Sequence, residues 1–193
     1  MSVPNLILAS SSPRRKELLS QLNIDFTVVP GKINEEEYED RNPEKMVKET
    51  ARAKAEETAR LVENTVIIAA DTVVYYDNEI LGKPGNSGEA ERVLQKLSGD
   101  THKVFTGLAV FSTIEKRIIL DYDVTKVYMR DLKKEEIINY VKSGEPLDKA
   151  GSYGIQGIGG ILVEKIVGSF YTVVGLPIHK LAVILDEFSI NII

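Results

Sequence analysis

The run VIIAADTVVYY, from Val66 to Tyr76, determines what kind of core this chain builds. It is almost continuously apolar and rich in β-branched residues, a composition typical of a strand and not of a surface helix. A strand with so little polar alternation is covered on both faces, as at the centre of an α/β sheet. The sequence therefore predicts a buried central strand over these residues.

One charged residue, Asp71, interrupts this run. A carboxylate inside a sheet is costly unless it is paired, protonated or bound to a metal ion. The chain has no cysteine and only two histidines, His102 and His179, so a metal site here would use oxygen ligands, which Mg²⁺ and Mn²⁺ prefer. The acidic segment NEEEYED at residues 34–40 would then supply a second carboxylate. The alternatives are a buried salt bridge from Asp71 to a lysine or arginine, and a solvated loop for the acidic segment.

Two arginines stand where a helix is expected to begin. The sequence LILASSSPRR, residues 6–15, has an apolar strand pattern, then serines that can cap a helix, then Pro13 at the first helical position. A helix start carries free N–H groups and the positive end of the helix dipole, so Arg14 and Arg15 are unfavourable there unless an anion binds. The pattern indicates a phosphate site. The alternative is an ordinary capped helix with solvated arginines.

Composition limits the kinds of protein that this chain can be. Its 193 residues are 43% hydrophobic and 27% charged, which is enough for a full core in one large domain or in two tightly joined lobes. The net charge of −5 argues against a protein that coats nucleic acid. No apolar run reaches membrane-spanning length, and the first basic residues follow the N-terminal apolar stretch, the reverse of a secretory signal. With no cysteine, these features predict a cytoplasmic protein with no nucleic-acid or membrane partner.

The rest of the pattern alternates between helices and strands. Helices are predicted at residues 43–62, 87–97, 132–142 and 177–188. Further strands are predicted at residues 26–29, 80–81, 103–112, 117–130 and within 162–174, with a loop at the acidic segment. Because some neighbouring strands are joined by short turns and others by helices, the order indicates an α/β fold with a mixed, only partly parallel sheet.

Two lysines are candidate phosphate ligands. Lys54 lies among alanines on the long predicted helix, and Lys83 lies in a stiff GKP turn. A solvated helix face is the alternative for Lys54. Residues 144–160 are dense in glycine, which indicates backbone close to a ligand, and Gln156 stands among those glycines. No partner pattern accompanies either histidine, which predicts structural or exposed roles for both.

Five short motifs follow one another along the chain. They are SSSPRRKELL at 10–19, AADTVV at 69–74, GKP at 82–84, LSGDTH at 97–102 and EPLDKAGSYGIQG at 145–157. Together they resemble the Maf family of nucleotide pyrophosphatases, and the resemblance covers nearly the whole chain as a single domain, residues 1–193. It implies an elongated mixed sheet with helices around a central cleft, related to the inosine triphosphate pyrophosphatases. The implied reaction hydrolyses a nucleoside triphosphate between its α and β phosphates with a divalent metal cation, Mg²⁺ or Mn²⁺.

The resemblance also implies a role for individual residues. Asp71, the aspartate of the ADT motif, is implied as the proton acceptor that activates water, and Glu35 with Asp71 as metal ligands. The register of the acidic run leaves Glu36 and Glu37 as alternatives to Glu35. The residues implied or expected to bind phosphate are Ser10, Arg14, Lys54 and Lys83. The residues implied to select the substrate are Arg15, Thr72 and Gln156.

The three selecting residues resemble those of the subgroup that acts on dTTP and UTP, including modified pyrimidine nucleotides, and not those of the subgroup that prefers 7-methyl-GTP. The amide of Gln156 suits a pyrimidine because it offers both a donor and an acceptor. A nucleotide-pool housecleaning role follows, with a nucleoside triphosphate as the partner and a homodimer as the implied assembly. The alternative is a nucleotide-sensing regulator of septum formation and cell division without important turnover.

Overall fold

Strand β3, Thr65–Tyr76, lies inside the sheet with a neighbouring strand on each side, which confirms the central strand that the sequence predicts. The structure, a computed structural model, describes residues 5–193, so the first four residues of the predicted N-terminal segment lie outside it. The other strands within residues 5–193 are β1 Asn5–Leu8, β2 Phe26–Val28, β4 Glu79–Leu81, β5 Thr101–Ser112, β6 Arg117–Met129 and β7 Val163–Val167. With β3 they form one seven-stranded sheet in the order β2-β1-β3-β5-β6-β7, with β4 beside β3.

The sheet is mixed, and its first three strands are parallel. Strand β1 pairs in parallel with both β2 and β3, so that Leu6 lies opposite Phe26 on one side and Val66 on the other. Strand β4 pairs antiparallel with β3, and β7 pairs antiparallel with β6. The partly parallel α/β sheet that the sequence predicts is therefore confirmed.

Helices connect and flank these strands. They are α1 Pro13–Ser20, α2 Pro43–Ala59, α3 Ser87–Leu97, α4 Lys134–Lys142, α5 Phe170–Val174 and α6 Ile178–Asp186. Two details of the prediction were wrong. The acidic segment contains a 3₁₀ turn, Glu35–Tyr38, in place of a plain loop. The strand pattern predicted up to residue 174 ends at Val167, because Gly168 has a φ of +132° and turns the chain into α5.

The chain divides into two compact units. The first comprises Met1–Asp71, Thr106–Asp123 and Gly175–Ile193. Its core includes small side chains on α2, Ala51 and Ala55, which pack with residues of the sheet. The helix lies so close to β5 that a Cβ at Gly107 would be 2.2 Å from the carbonyl oxygen of Val47. Small residues on the helix and the sheet thus bring the backbone of α2 close to the strands.

The second unit comprises Thr72–Phe105 and Val124–Val174. Its core is built from α3, α4 and the strands that they cover. The largest fully buried side chains there are Leu94, Leu97, Ile137 and Leu162. Two tyrosines, Tyr140 and Tyr153, are also part of this core.

None of the helices within residues 5–193 combines the length and the apolar composition needed to cross a membrane.

Candidate active site

Helix α1 begins as the sequence predicts. Pro13 occupies the first turn, and the Ser12 side chain accepts a hydrogen bond from the Arg15 backbone N–H at 3.4 Å. The first turn contains no acidic residue. The first turn, at the positive end of the helix dipole, therefore carries the two cations Arg14 and Arg15.

Arg15 is half-buried and held in place. Its Nε donates to the backbone carbonyl of Gly175 at 2.8 Å, and its Nη1 donates to Ser10 Oγ at 3.3 Å. Ser10 is buried, and its hydroxyl oxygen also accepts the Ser12 backbone N–H at 3.2 Å. The solvated alternative is therefore wrong for Arg15. Ser10 helps to orient this arginine, and its predicted contact with phosphate stays a prediction.

Three neighbouring charges act on the Arg15 guanidinium. Burial lowers the pKa of the Arg15 guanidinium from its ordinary value. The Asp71 carboxylate raises this pKa, the Arg14 charge lowers it further, and the Glu35 carboxylate raises it. Arginine remains protonated despite such a shift. Two cations from the start of α1 and two carboxylates therefore act on one another within the first unit.

Lys54 joins the two carboxylates. Its Nζ lies 2.7 Å from Asp71 Oδ1 and 2.7 Å from Glu35 Oε1. Lys54 and Asp71 are each only 8% exposed, whereas the Glu35 side chain is 57% exposed. The solvated-face alternative for Lys54 is wrong. Asp71 is buried, as the sequence predicts. Its contact with Lys54 is the buried salt bridge that the sequence left open as the alternative for this carboxylate.

Packing of α2 explains why Lys54 reaches Asp71. Lys54 stands between Ala51 and Ala55, the small residues that let this helix approach the sheet. The segment before Glu35 is also in close contact with α2, since a Cβ at Gly31 would lie 2.4 Å from the Lys54 carbonyl oxygen. Glycine at this position lets the chain pass over α2 and carry Glu35 to Lys54.

The structure also distinguishes the three adjacent glutamates. Glu35 contacts Lys54, whereas Glu37 accepts a hydrogen bond from the Asn34 side chain at 3.3 Å on the surface, and Glu36 is exposed. Of the three residues that the sequence could not separate, Glu35 is the one placed with Asp71.

Glu35 and Asp71, which both contact Lys54, are suited to binding a divalent cation together with substrate phosphates. Among the described residues, no three His, Cys, Asp or Glu side chains come together as a metal site. Mg²⁺ is often held by one or two carboxylates together with substrate phosphates, and Glu35 with Asp71 fits that donor set. The metal ligands stay predictions; the contacts described are those of the lysine.

The remaining predicted residues belong to the second unit. Lys83 is exposed, while Thr72 and Gln156 are half-buried. Gly151 links the segments that carry them. Its N–H donates to the carbonyl of Gly82 at 3.1 Å, and a Cβ on it would lie 2.7 Å from the side chain of Val74, two residues beyond Thr72 on β3. The roles of Lys83, Thr72 and Gln156 with the nucleotide stay predictions.

Sequence reasoning missed two positions in the first unit. Gly31 permits the approach of Glu35, and the Gly175 carbonyl fixes Arg15 from 160 residues away along the chain. Both act through the backbone, so no side-chain pattern identifies them. Gly31 carries the only sequence signal, a glycine between a strand and an acidic segment.

The two histidines have the structural and exposed roles that the sequence predicts. His102 is buried, and its Nε2 lies 2.7 Å from the Tyr153 hydroxyl. His179 is largely exposed, with Nε2 3.8 Å from Asp123 Oδ2. Burial lowers the pKa of His102 to about 4, and Asp100 opposes this shift.

A pH dependence of stability follows from His102. Its folded pKa of about 4 lies below the ordinary value of 6.5, so between these pH values the unfolded chain binds more protons and acidification favours unfolding. We expect this residue to contribute a loss of up to about 3 kcal/mol of unfolding free energy between pH 6.5 and 4. Urea unfolding at several pH values should show a shallower pH dependence in His102→Asn than in the wild type. Equal slopes for His102→Asn and the wild type would contradict the prediction.

The chain is similar in sequence to known proteins along almost its whole length. Residues 5–188 match the family described as Maf-like protein. The chain is 50% identical over 185 residues to a protein named dTTP/UTP pyrophosphatase from Aquifex aeolicus (strain VF5), covering 96% of each chain. It is 47% identical over 189 residues to a protein of the same name from Dictyoglomus thermophilum, covering 97% of this chain and 98% of the relative.

A solved structure supports the fold. A HAM1 protein from Coxiella burnetii superposes with a TM-score of 0.52 at 16% identity, covering 96% of this chain and 100% of that one. At that identity the likeness concerns the fold alone, and it agrees with the predicted fold class. The family match spans nearly all of the described residues, and the relatives match at high identity over almost their whole length. The chain belongs to the Maf family.

Proposed function

We propose that this protein is a nucleoside triphosphate pyrophosphatase that hydrolyses dTTP and UTP, and modified pyrimidine nucleotides, to the monophosphate and pyrophosphate. Its role is housecleaning of the nucleotide pool. The observation that carries the proposal is the contact of Lys54 with both Asp71 and Glu35 beside the arginines of α1. The proposed choice of dTTP and UTP as substrates is supported by the relatives named dTTP/UTP pyrophosphatase.

The cations of the first unit bind the triphosphate. The start of α1 is the positive end of the helix dipole, and Arg14 adds a guanidinium that can bind phosphate oxygens through two parallel hydrogen bonds. Lys54 has three N–H donors, so its two carboxylate contacts leave one for a phosphate oxygen. Ser10 and Lys83 complete the proposed phosphate ligands. Positive charge around the phosphates stabilises the negative charge that spreads over their oxygens in the transition state.

Asp71 orients and deprotonates the attacking water. Its carboxylate is buried and held at Oδ1 by Lys54, which fixes the direction of the second oxygen. A positioned carboxylate accepts the water proton as the oxygen attacks phosphorus, and the bond to the leaving pyrophosphate then breaks. Because phosphoryl transfer depends mainly on positioning and electrostatics, a fixed Asp71 is of more use than a mobile one.

A divalent cation, Mg²⁺ or Mn²⁺, would be held by Glu35 and Asp71 together with the phosphates. When bound, it neutralises phosphate charge and polarises the reacting phosphorus. The protein itself provides the two oxygen ligands and the lysine that balances them in its own structure.

Selection of the base is assigned to Arg15, Thr72 and Gln156. Arg15 is held by Gly175 and Ser10, so its guanidinium occupies one position. A site that hydrogen-bonds its substrate rejects analogues that leave its buried polar groups unpaired. An amide that both donates and accepts hydrogen bonds suits a pyrimidine edge.

The proposed substrates are tested by comparing nucleoside triphosphates directly. We expect kcat/KM for dTTP and UTP to exceed that for ATP and 7-methyl-GTP by at least about tenfold, because each mismatched hydrogen bond in the base site weakens transition-state binding. Pyrophosphate release is measured for the four nucleotides and for modified pyrimidine triphosphates with Mg²⁺ and with Mn²⁺. Equal rates for the four would contradict the proposed selectivity.

The same assay separates the enzyme from the alternative regulator. A nucleotide sensor of cell division would bind dTTP or UTP and leave it intact, whereas the proposed enzyme turns it over.

We place the enzyme in the cytoplasm, where its substrates are, and propose that it acts as a homodimer. Light scattering at assay concentrations tests the assembly.

A further inference from the structure

A hydrogen-bonded pair, Tyr140 and Glu145, holds both ends of the segment that carries Gln156. The Tyr140 hydroxyl donates to Glu145 Oε1 at 2.9 Å and accepts the Gly154 N–H at 3.1 Å. On the far side of Gln156, Glu145 Oε1 accepts the Gly159 N–H at 3.0 Å, and Oε2 accepts the Ile158 N–H at 3.2 Å. We call this pair the Tyr140–Glu145 clamp.

The clamped segment closes into a tight loop. A Cβ at Gly159 would lie 2.3 Å from the carbonyl oxygen of Gly154, so the two ends touch through their backbones. Gly157, next to Gln156, has a φ of +68°, which glycine adopts without strain. Gln156 therefore lies near the middle of a loop whose two ends contact the same tyrosine and carboxylate.

Lys149 fixes the backbone of Glu145 in turn. Its Nζ donates to the Glu145 carbonyl oxygen at 2.6 Å and to Asp148 Oδ1 at 2.7 Å. Tyr140 is buried in the core of the second unit, and Pro146 beside Glu145 is buried as well. The clamp is thus anchored to the core, whereas Gln156 itself is half-buried and accessible to a ligand.

We propose that Glu145, acting with Tyr140, is a positioning residue that fixes the Gln156 amide for recognition of the pyrimidine base; this inference rests on the proposed function. The carboxylate accepts one hydroxyl and two backbone N–H groups, more than a neutral side chain of the same size satisfies. An amide selects a base by the direction of its donor and acceptor, so a loop that moves loses selectivity without losing its glutamine.

The first test uses two variants that remove little else. Tyr140→Phe deletes only the hydroxyl, and Glu145→Gln keeps the size of the side chain with one acceptor oxygen. We expect kcat/KM for dTTP and UTP to fall about tenfold in each, mainly through KM, and the preference over ATP to fall by a similar factor. We expect kcat for dTTP to stay within about twofold of the wild type, because Asp71 and Lys54 belong to other segments. Glu145→Ala should lose more selectivity than Glu145→Gln, since it removes every acceptor.

A control and a double variant separate positioning from general destabilisation. Tyr76→Phe deletes another tyrosine hydroxyl of the same unit, which donates to Asp100 Oδ2 at 2.8 Å, and should keep the wild-type selectivity. In a Gln156→Ala background, Glu145→Gln should cause little further change in selectivity, because the amide that it positions is gone. Additive losses in the double variant would overturn the proposal.

Amide hydrogen exchange tests the clamp without any substrate. Exchange at Gly154, Ile158 and Gly159 should be faster in Tyr140→Phe and Glu145→Gln than in the wild type and in Tyr76→Phe. Unchanged exchange would overturn the proposal, as would faster exchange with unchanged selectivity. If the wild type releases pyrophosphate from none of the triphosphates, the proposed function fails and the base-recognition part of this inference fails with it, while the exchange rates still report whether the clamp exists.

Discussion

Replacing Asp71 with asparagine is expected to lower kcat for dTTP by about three orders of magnitude while the protein remains folded. Asparagine has the shape of aspartate, and its side-chain oxygen can still accept the hydrogen bond that Lys54 donates to Asp71 at 2.7 Å. It cannot accept a proton from water, and it brings no negative charge to the site. Pyrophosphate release at saturating dTTP with Mg²⁺ or Mn²⁺ measures kcat, and thermal unfolding measures the fold.

Asp121→Asn provides a matched control for that variant. Asp121 pairs with Lys180 at 2.8 Å in the same unit, and the two side chains are 38% and 30% exposed. An exposed lysine–aspartate pair contributes little, so kcat should stay within about twofold of the wild type. A wild-type kcat in Asp71→Asn would show that Asp71 is not the proton acceptor. An equal loss of kcat in both variants would show that the assay responds to any broken ion pair.

Asp71 illustrates how far the sequence alone reaches. A single charge within residues 66–76 is visible because every neighbour is apolar, and burial of such a run follows from its composition. The helix start at Pro13 is equally local, since the capping serine and the proline stand beside the arginines. Both features depend on a few consecutive residues, and the structure has both where the sequence predicts them.

The partners of these residues depend on packing between distant segments. Glu35, Glu36 and Glu37 are equivalent by composition, and only the 3₁₀ turn together with the close approach at Gly31 places Glu35 on Lys54. Arg15 is fixed by a backbone carbonyl, which every residue type carries. Sequence patterns identify side chains, so contacts made through the backbone are found only when the chain is folded.

The clamp on Gln156 shows the same limit within a motif. Glu145 is the first residue of the motif that ends in Gly157. The motif does not indicate which groups donate hydrogen bonds to the Glu145 carboxylate. Tyr140 lies outside the motif, on α4, and meets Glu145 because the chain turns at Gly144, whose φ is +76°. The resemblance to a family names Gln156 as a residue expected to select the substrate and is silent about the residues that hold its segment.

Replacing Lys54 with methionine is expected to lower the unfolding free energy by about 3 kcal/mol, and kcat by about a hundredfold. The variant keeps an unbranched side chain that is one atom shorter, but it leaves Asp71 buried without its lysine, and Glu35 close to a second negative charge. Arg15 compensates only part of this charge, because it acts on Asp71 from a position fixed by Gly175. Urea unfolding measures the first effect and pyrophosphate release from dTTP the second.

A divalent cation should restore part of the stability that Lys54→Met loses. With the ammonium gone, Glu35 and Asp71 are two carboxylates without a cation between them, so Mn²⁺ should raise the unfolding midpoint of the variant more than that of the wild type. Lys45→Met is the control on the same helix. Lys45 pairs with Asp40 at 2.6 Å but is 66% exposed, so this variant should unfold at nearly the same urea concentration as the wild type and show no response to Mn²⁺. If Lys54→Met unfolds like the wild type and ignores Mn²⁺, Lys54 does not neutralise a shared pair of carboxylates, and the geometry on which the proposed chemistry depends is wrong.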